Sequence, residues 1–190
     1  MKKQGGYQNL IVYQQAVIIY DLNTEFCRRF LNPQEDRRTI EQMIQASRSG
    51  KQNIVEASLE KSLKMNIKLT GVARGSFGEL LEDYNDFLRS RRLKIWGKDD
   101  RRVLEIRRMR IGSDGSNLAN ETNLSNWTNN SERFANLMIT LISKENYLLD
   151  QMLRSLENKF VQQGGYSENL AKKRLQERKK HLGSWVSRRW

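Results

Sequence analysis

Apolar residues recur along this chain at intervals of three and four, the period of a helix that buries one face. The first run covers residues 9–31, where Leu10, Tyr13, Val17, Tyr20, Thr24, Cys27 and Leu31 form a seam that Ile11 and Ile18 widen. Asn32-Pro33 ends it, because proline disfavours helical geometry in the residue before it. A second helix is predicted over 34–58, with Ile40, Met43, Ile44, Ser47, Gly50, Ile54 and Ala57 on its seam. The third, over 60–91, carries two adjacent stripes. One holds Leu63, Ile67, Thr70, Phe77, Leu81, Tyr84 and Leu88; the other holds Leu69, Val72, Ser76, Leu80 and Phe87. So wide an arc predicts more than one neighbour. Gly71, Gly75 and Gly78 each cost about 1 kcal/mol relative to alanine inside a helix, which predicts close packing at those positions.

A short helix follows over 98–111, with thin apolar contact from Val103, Ile106 and Met109. Asp99 and Asp100 at its start and Arg107, Arg108 and Arg110 at its end complement the helix dipole. Of the 20 residues from 112 to 131, 14 are Gly, Ser, Asn or Thr, which predicts a loop pinned by Leu118, Leu124 and Trp127. A fourth long helix covers 132–163, its seam formed by Met138, Ile142, Glu145, Leu149, Met152, Leu156 and Phe160. Gly164-Gly165 stops it. A last helix over 167–181 has only Leu170, Ala171, Leu175 and Leu182 as an apolar strip, and 183–190 is a predicted disordered tail. The chain therefore reads as all-α: an up-down four-helix bundle over residues 7–163, with an insertion at 92–131 between the third and fourth long helices. A basic C-terminal helix and tail occupy 164–190.

Charge sharpens this picture. Residues 1–89 carry 13 Lys/Arg against 11 Asp/Glu, and residues 111–165 carry 4 against 6. The excess lies in 90–110, with 9 against 3, and in 166–190, with 8 against 2. A nearly neutral body with two concentrated basic segments is the footprint of a protein that meets a polyanion. Candidate phosphate contacts are Arg91, Arg92, Lys94, Arg101, Arg102, Arg107 and Arg108 in the connector, and Lys172, Lys173, Arg174, Arg178, Lys179 and Lys180 in the last helix. Trp96 suits either stacking on a base or capping the end of the bundle. Trp185 and Trp190 are exposed unless a partner covers them. Nothing resembles a base-reading helix, so the expected binding is salt-sensitive and weakly sequence-selective.

Catalytic chemistry is not legible. Nucleophilic triads need a base near a nucleophile, and the only histidine, His181, lies in a cationic tail. Cys27 sits on an apolar face and reads as a buried structural thiol. Gly71 to Gly75 lies mid-helix and lacks the Lys-Ser/Thr of a phosphate loop. The carboxylates of Glu79, Glu82, Asp83 and Asp86 lack the Glu-x-x-His partners of a bundle metal centre and read as a solvated or salt-bridged face. No enzyme, no metal and no cofactor is expected. With one cysteine, no signal peptide and no long apolar stretch, the expectation is a cytoplasmic protein away from membranes. Four Asn-x-Ser/Thr triplets, at Asn120, Asn123, Asn126 and Asn129, then read as by-products of a polar loop.

Three stretches carry a family resemblance. Leu10-Ile11-Val12-Tyr13-Gln14-Gln15-Ala16 resembles the opening of a family's first helix. Ser49, Asn53, Ile54 and Glu56 match a second-helix Ser-x-x-x-Asn-Ile-x-Glu-Gly signature, departing at Ala57, and Gly75, Ser76, Glu79 and Leu80 match a third-helix Gly-Ser-x-x-Glu-Leu. These resemble the four-helix bundle protein family, which includes proteins encoded in intervening sequences of large-subunit ribosomal RNA and accessory variability proteins of diversity-generating retroelements. The connector near 93–108, Asn146 to Gln151 and Gly164 to Glu168 resemble members with a C-terminal suffix extension. The resemblance implies a homo-oligomer, a pentameric barrel of bundles, that binds nucleic acid and partners a reverse transcriptase. It also implies structural roles for Ser49, Asn53, Glu56, Gly75, Ser76 and Glu79. The expected function is a non-catalytic scaffold binding RNA or DNA. The alternative is an adaptor that docks an acidic protein partner without nucleic acid.

Overall fold

The computed structural model describes residues 6–108 and 126–186, the last six of them by backbone alone. After a short turn at Tyr7–Asn9 come α1 (Ile11–Phe30), α2 (Arg37–Leu59), α3 (Leu63–Ser90), α4 (Arg101–Arg108), α5 (Ser131–Gln163) and α6 (Tyr166–Val186). The protein is all-helical, with no strand among the described residues. Both α1 and α3 pack against α2 and α5, so the four long helices share one core. Phe26 sits at its centre, its ring 4.8–5.4 Å from those of Phe30, Tyr84, Phe87 and Phe134.

Local chemistry sets the helix ends. The Oδ1 of Asn32 accepts from the Gln34 amide and the Oδ2 of Asp36 from the Asn32 amide, folding the turn around Pro33 before α2. Asn130 caps α5 by accepting from the Arg133 amide at 2.8 Å. Gly164 ends α5 with φ 73, a left-handed geometry that favours glycine.

The face that α1 buries differs from the predicted seam. Val12, Gln15, Ala16, Ile19, Leu22, Asn23, Phe26 and Cys27 are buried, whereas Thr24 and Ile11 are exposed. Two polar residues explain the rotation. Gln15 Nε2 donates to the Leu141 carbonyl at 2.8 Å, and Asn23 Nδ2 donates to the Met43 carbonyl at 3.0 Å and to Ser47 Oγ at 3.1 Å. An apolar-only seam leaves both out. Tyr84 completes the network by donating its hydroxyl proton to Asn23 Oδ1. Burial pushes the Cys27 thiol up to about 12, with Asp83 adding to the rise.

The glycine expectation is also corrected. A Cβ at Gly71 or Gly75 would meet nothing within 4 Å, and one at Gly78 only an Arg74 guanidinium nitrogen at 3.5 Å. The close approach lies instead at Gly50 on α2, beside the Phe77 ring.

Past Asp150, α5 has no buried residue, and Leu170 to Lys180 of α6 are all exposed. No other helix packs extensively on α6. It is longer than predicted, running to Val186 rather than 181. Most of the predicted loop at 112–131 and the end of the tail lie outside the described residues, as do the side chains of His181, Trp185 and Trp190.

Candidate nucleic-acid interface

The connector is laid along the start of α5 by bonds from its backbone to α5 side chains. Arg92 turns the chain with φ 54, and the Leu93 amide donates to the Leu88 carbonyl. Asn136 then grips the segment from both sides: its Oδ1 accepts from the Trp96 amide and its Nδ2 donates to the Lys94 carbonyl, each at 2.8 Å. Trp96 is buried with its ring edge-on to Trp127 at 6.1 Å, and its indole N–H points to Glu132. Stacking on a base is thereby excluded for Trp96. It caps the core, because burying the indole and pairing its N–H satisfies both halves of the side chain.

Two of the predicted phosphate contacts are occupied within the protein. The Arg102 guanidinium lies 3.8 Å over the Trp96 ring and makes hydrogen bonds of 3.0 and 2.8 Å with Asp100. These bonds hold the Asp100 carboxyl down at about 2. Arg91 lies 4.1 Å over the Phe87 ring and 3.5 Å from Asp36. What remains is Arg92, Lys94, Arg101, Arg107 and Arg108, all exposed and without an ion pair to a described carboxylate. Val103 and Ile106, both buried, hold α4 against α5 and so turn Arg101, Arg107 and Arg108 outward.

The second basic surface is α6. Lys172, Lys173, Arg174, Arg178, Lys179 and Lys180 are all exposed, and among the described residues only Lys180 has an ion-pair partner, Glu177 at 2.7 Å. Along α5, the 27 residues from Asn136 to Gln163, about 40 Å at 1.5 Å per residue, lie between the anchor of the connector and the start of α6. The connector and α6 are two surfaces, not one.

The acidic stripe on α3 lines a groove rather than an open face. About 850 Å³ of space lies between α2 and α3, bordered by Glu41, Ser49, Glu79, Glu82 and Asp83, with Arg38 the one cation among the described residues on its lining. It continues past Gln42 and Asp83 into a notch of about 290 Å³ beside Asp36 and Asp86. Burial, then the charges of Asp86 and Glu79, push Asp83 up to about 6. Among the described residues no three His, Cys, Asp or Glu side chains are placed to hold a metal ion.

Of the signature residues, Ser49 and Ser76 hydrogen-bond across α2 and α3 at 3.0 Å, and Asn53 donates to the Ser49 carbonyl at 2.9 Å. Glu56 and Glu79 are exposed, and Gly75 faces open space. Among the described residues, one buried carboxylate has no hydrogen-bond partner at either oxygen: Glu145, on the predicted seam of α5. Burial drives its carboxyl well above the usual range, against a smaller opposing pull from Lys144.

Comparison of the chain with protein-family models, with curated proteins and with solved structures returns no match. No helix among the described residues is long and apolar enough to cross a membrane.

Proposed function

We propose that this chain is a non-catalytic, homo-oligomeric scaffold that binds RNA or DNA through its two basic surfaces. Its body is read as an up-down four-helix bundle of α1, α2, α3 and α5, with residues 92–131 as a basic connector. One observation carries the reading. Lys172, Lys173, Arg174, Arg178 and Lys179 stand exposed on a helix that contributes little to the core, and no described carboxylate neutralises them. Such a row of donors suits phosphates and carries no base-edge code. With a second basic surface on the connector at the start of α5, one copy can hold a strand at two points and gain affinity by linkage. The resemblance to the four-helix bundle protein family supports a pentameric barrel and a reverse-transcriptase partner.

Fluorescence anisotropy with labelled single-stranded RNA and DNA, at about 50 and about 300 mM salt, tests the reading. Binding should weaken steeply with salt, and Lys172→Glu/Lys173→Glu/Arg178→Glu should abolish most of it. A flat titration at low salt refutes nucleic-acid binding and leaves the adaptor reading. That alternative draws on the exposed Tyr166, Leu170 and Leu175 of α6, apolar side chains that phosphate contact does not need.

A further inference from the structure

The cations of α6 have a counterpart in the groove between α2 and α3. Glu79 and Glu82 on its lip are exposed, Asp83 is half-buried, and none of the three forms an ion pair with a described cation. Their acidic neighbours are engaged: Glu41 with Arg37, Asp36 with Arg91 and Asp86 with Arg89. Burial, and after it the charges of Asp86 and Glu79, push Asp83 up to about 6. The groove and its notch follow α3 from Ser76 to Ser90, about 21 Å of helix. Leu170 to Lys180 on α6 span about 15 Å, so the cationic run fits within that length.

Geometry keeps α6 from its own groove. The Arg74–Asp150 ion pair, 3.0 Å long, sets α5 level with α3 at that point. From Asp150, α5 runs a further 13 residues, about 20 Å, away from the groove. Folded straight back at Gly164-Gly165, α6 would bring Lys180 only level with Arg74, and Lys172 to Arg174 would stop about 10 Å short of it. The groove begins beyond that point. A second copy carries no such restriction.

We infer that α6 of one copy seats in the α2–α3 groove of a second copy, its lysines and arginines meeting Glu79, Glu82 and Asp83. The docking also withdraws Leu170 and Leu175 from water. The contact is head-to-tail, so successive copies close into a ring or extend as a chain. It does not rest on nucleic-acid binding. Where both occur, the groove and a polyanion compete for the same cations.

The test is a charge swap read by light scattering on the full chain, purified free of nucleic acid, at about 50 mM and about 500 mM salt. The wild type should exceed its 22.4 kDa monomer mass at low salt and fall toward it at high salt. Glu79→Lys/Glu82→Lys should give monomers, as should Lys173→Glu/Arg178→Glu/Lys179→Glu. Both sets combined in one chain, or the two variants mixed, should restore the larger mass. A monomeric wild type at low salt overturns the inference. So does either reversal leaving the mass unchanged, or a combined variant that stays monomeric. Anisotropy on the same variants reads nucleic-acid binding separately, so the two failures are distinguishable.

Discussion

Gly50 on α2 faces the flank of the Phe77 ring on α3 so closely that a methyl group there would sit 2.6 Å from Cε2. Phe77 is fully buried and cannot swing aside. Gly50→Ala should therefore destabilise the protein by about 1–3 kcal/mol despite alanine's better helix propensity. Gly71→Ala and Gly75→Ala, where the added methyl meets open space, should each stabilise it by up to about 1 kcal/mol. Urea denaturation of the three variants checks both signs, and equal effects would contradict the assigned contacts.

Asn23 joins three helices, so its removal should be costly. Asn23→Ala leaves the fully buried Tyr84 hydroxyl without its acceptor and opens a small cavity, for an expected loss of about 2–4 kcal/mol. Tyr84→Phe should cost about 1–2 kcal/mol. The double variant should lose less than the two together, by about 1 kcal/mol of coupling in a double-mutant cycle. Strict additivity would mean that the 2.9 Å bond adds nothing to stability.

The raised carboxyl of Glu145 has a definite pH sign. Folded Glu145 keeps its proton while the unfolded side chain releases it near pH 4.5. Stability is then greatest below that value and declines as pH rises through the higher folded value. Asp83 adds a decline of the same sign between 3.8 and about 6. Glu145→Gln should flatten the profile, equalling wild type near pH 4 and exceeding it by about 1–3 kcal/mol near pH 8. Melting temperatures across that range decide it; a variant weaker than wild type at pH 8 would show a productive charge at this site.

Trp96 separates stability from binding. Trp96→Ala should cost about 3–5 kcal/mol and release α4, since the ring carries Arg102 and meets Trp127. Hydrogen exchange in residues 101–108 should accelerate accordingly. Trp96→Phe should leave any nucleic-acid affinity near wild type. A large loss in that variant would return the indole to the binding surface.

Helices whose seams are purely apolar or small were legible in the sequence: Met43, Ser47, Gly50, Ile54 and Ala57 on α2 are all buried as the spacing requires. On α1 the pattern misled, because Gln15 and Asn23 occupy core positions that only partners distant in sequence make tenable. The glycines of α3 carried a cost visible in sequence, but whether a neighbour approaches is a tertiary fact, and it does so at Gly50. In the connector, charge counting located the basic segment yet could not tell Arg102, stacked on Trp96, from Arg101, which is exposed. The groove escaped because Glu79, Glu82 and Asp83 read as a solvent stripe until α2 is set beside them.

The lone thiol of Cys27 is buried and its pKa is pushed up to about 12, so maleimides and oxidants find little thiolate to attack. A cysteine installed in place of an exposed residue such as Lys180 would then be the single reactive handle on the molecule. A fluorophore or spin label can thus be placed on the projecting arm in an otherwise native background, and its separation from a neighbouring copy read as a distance in solution.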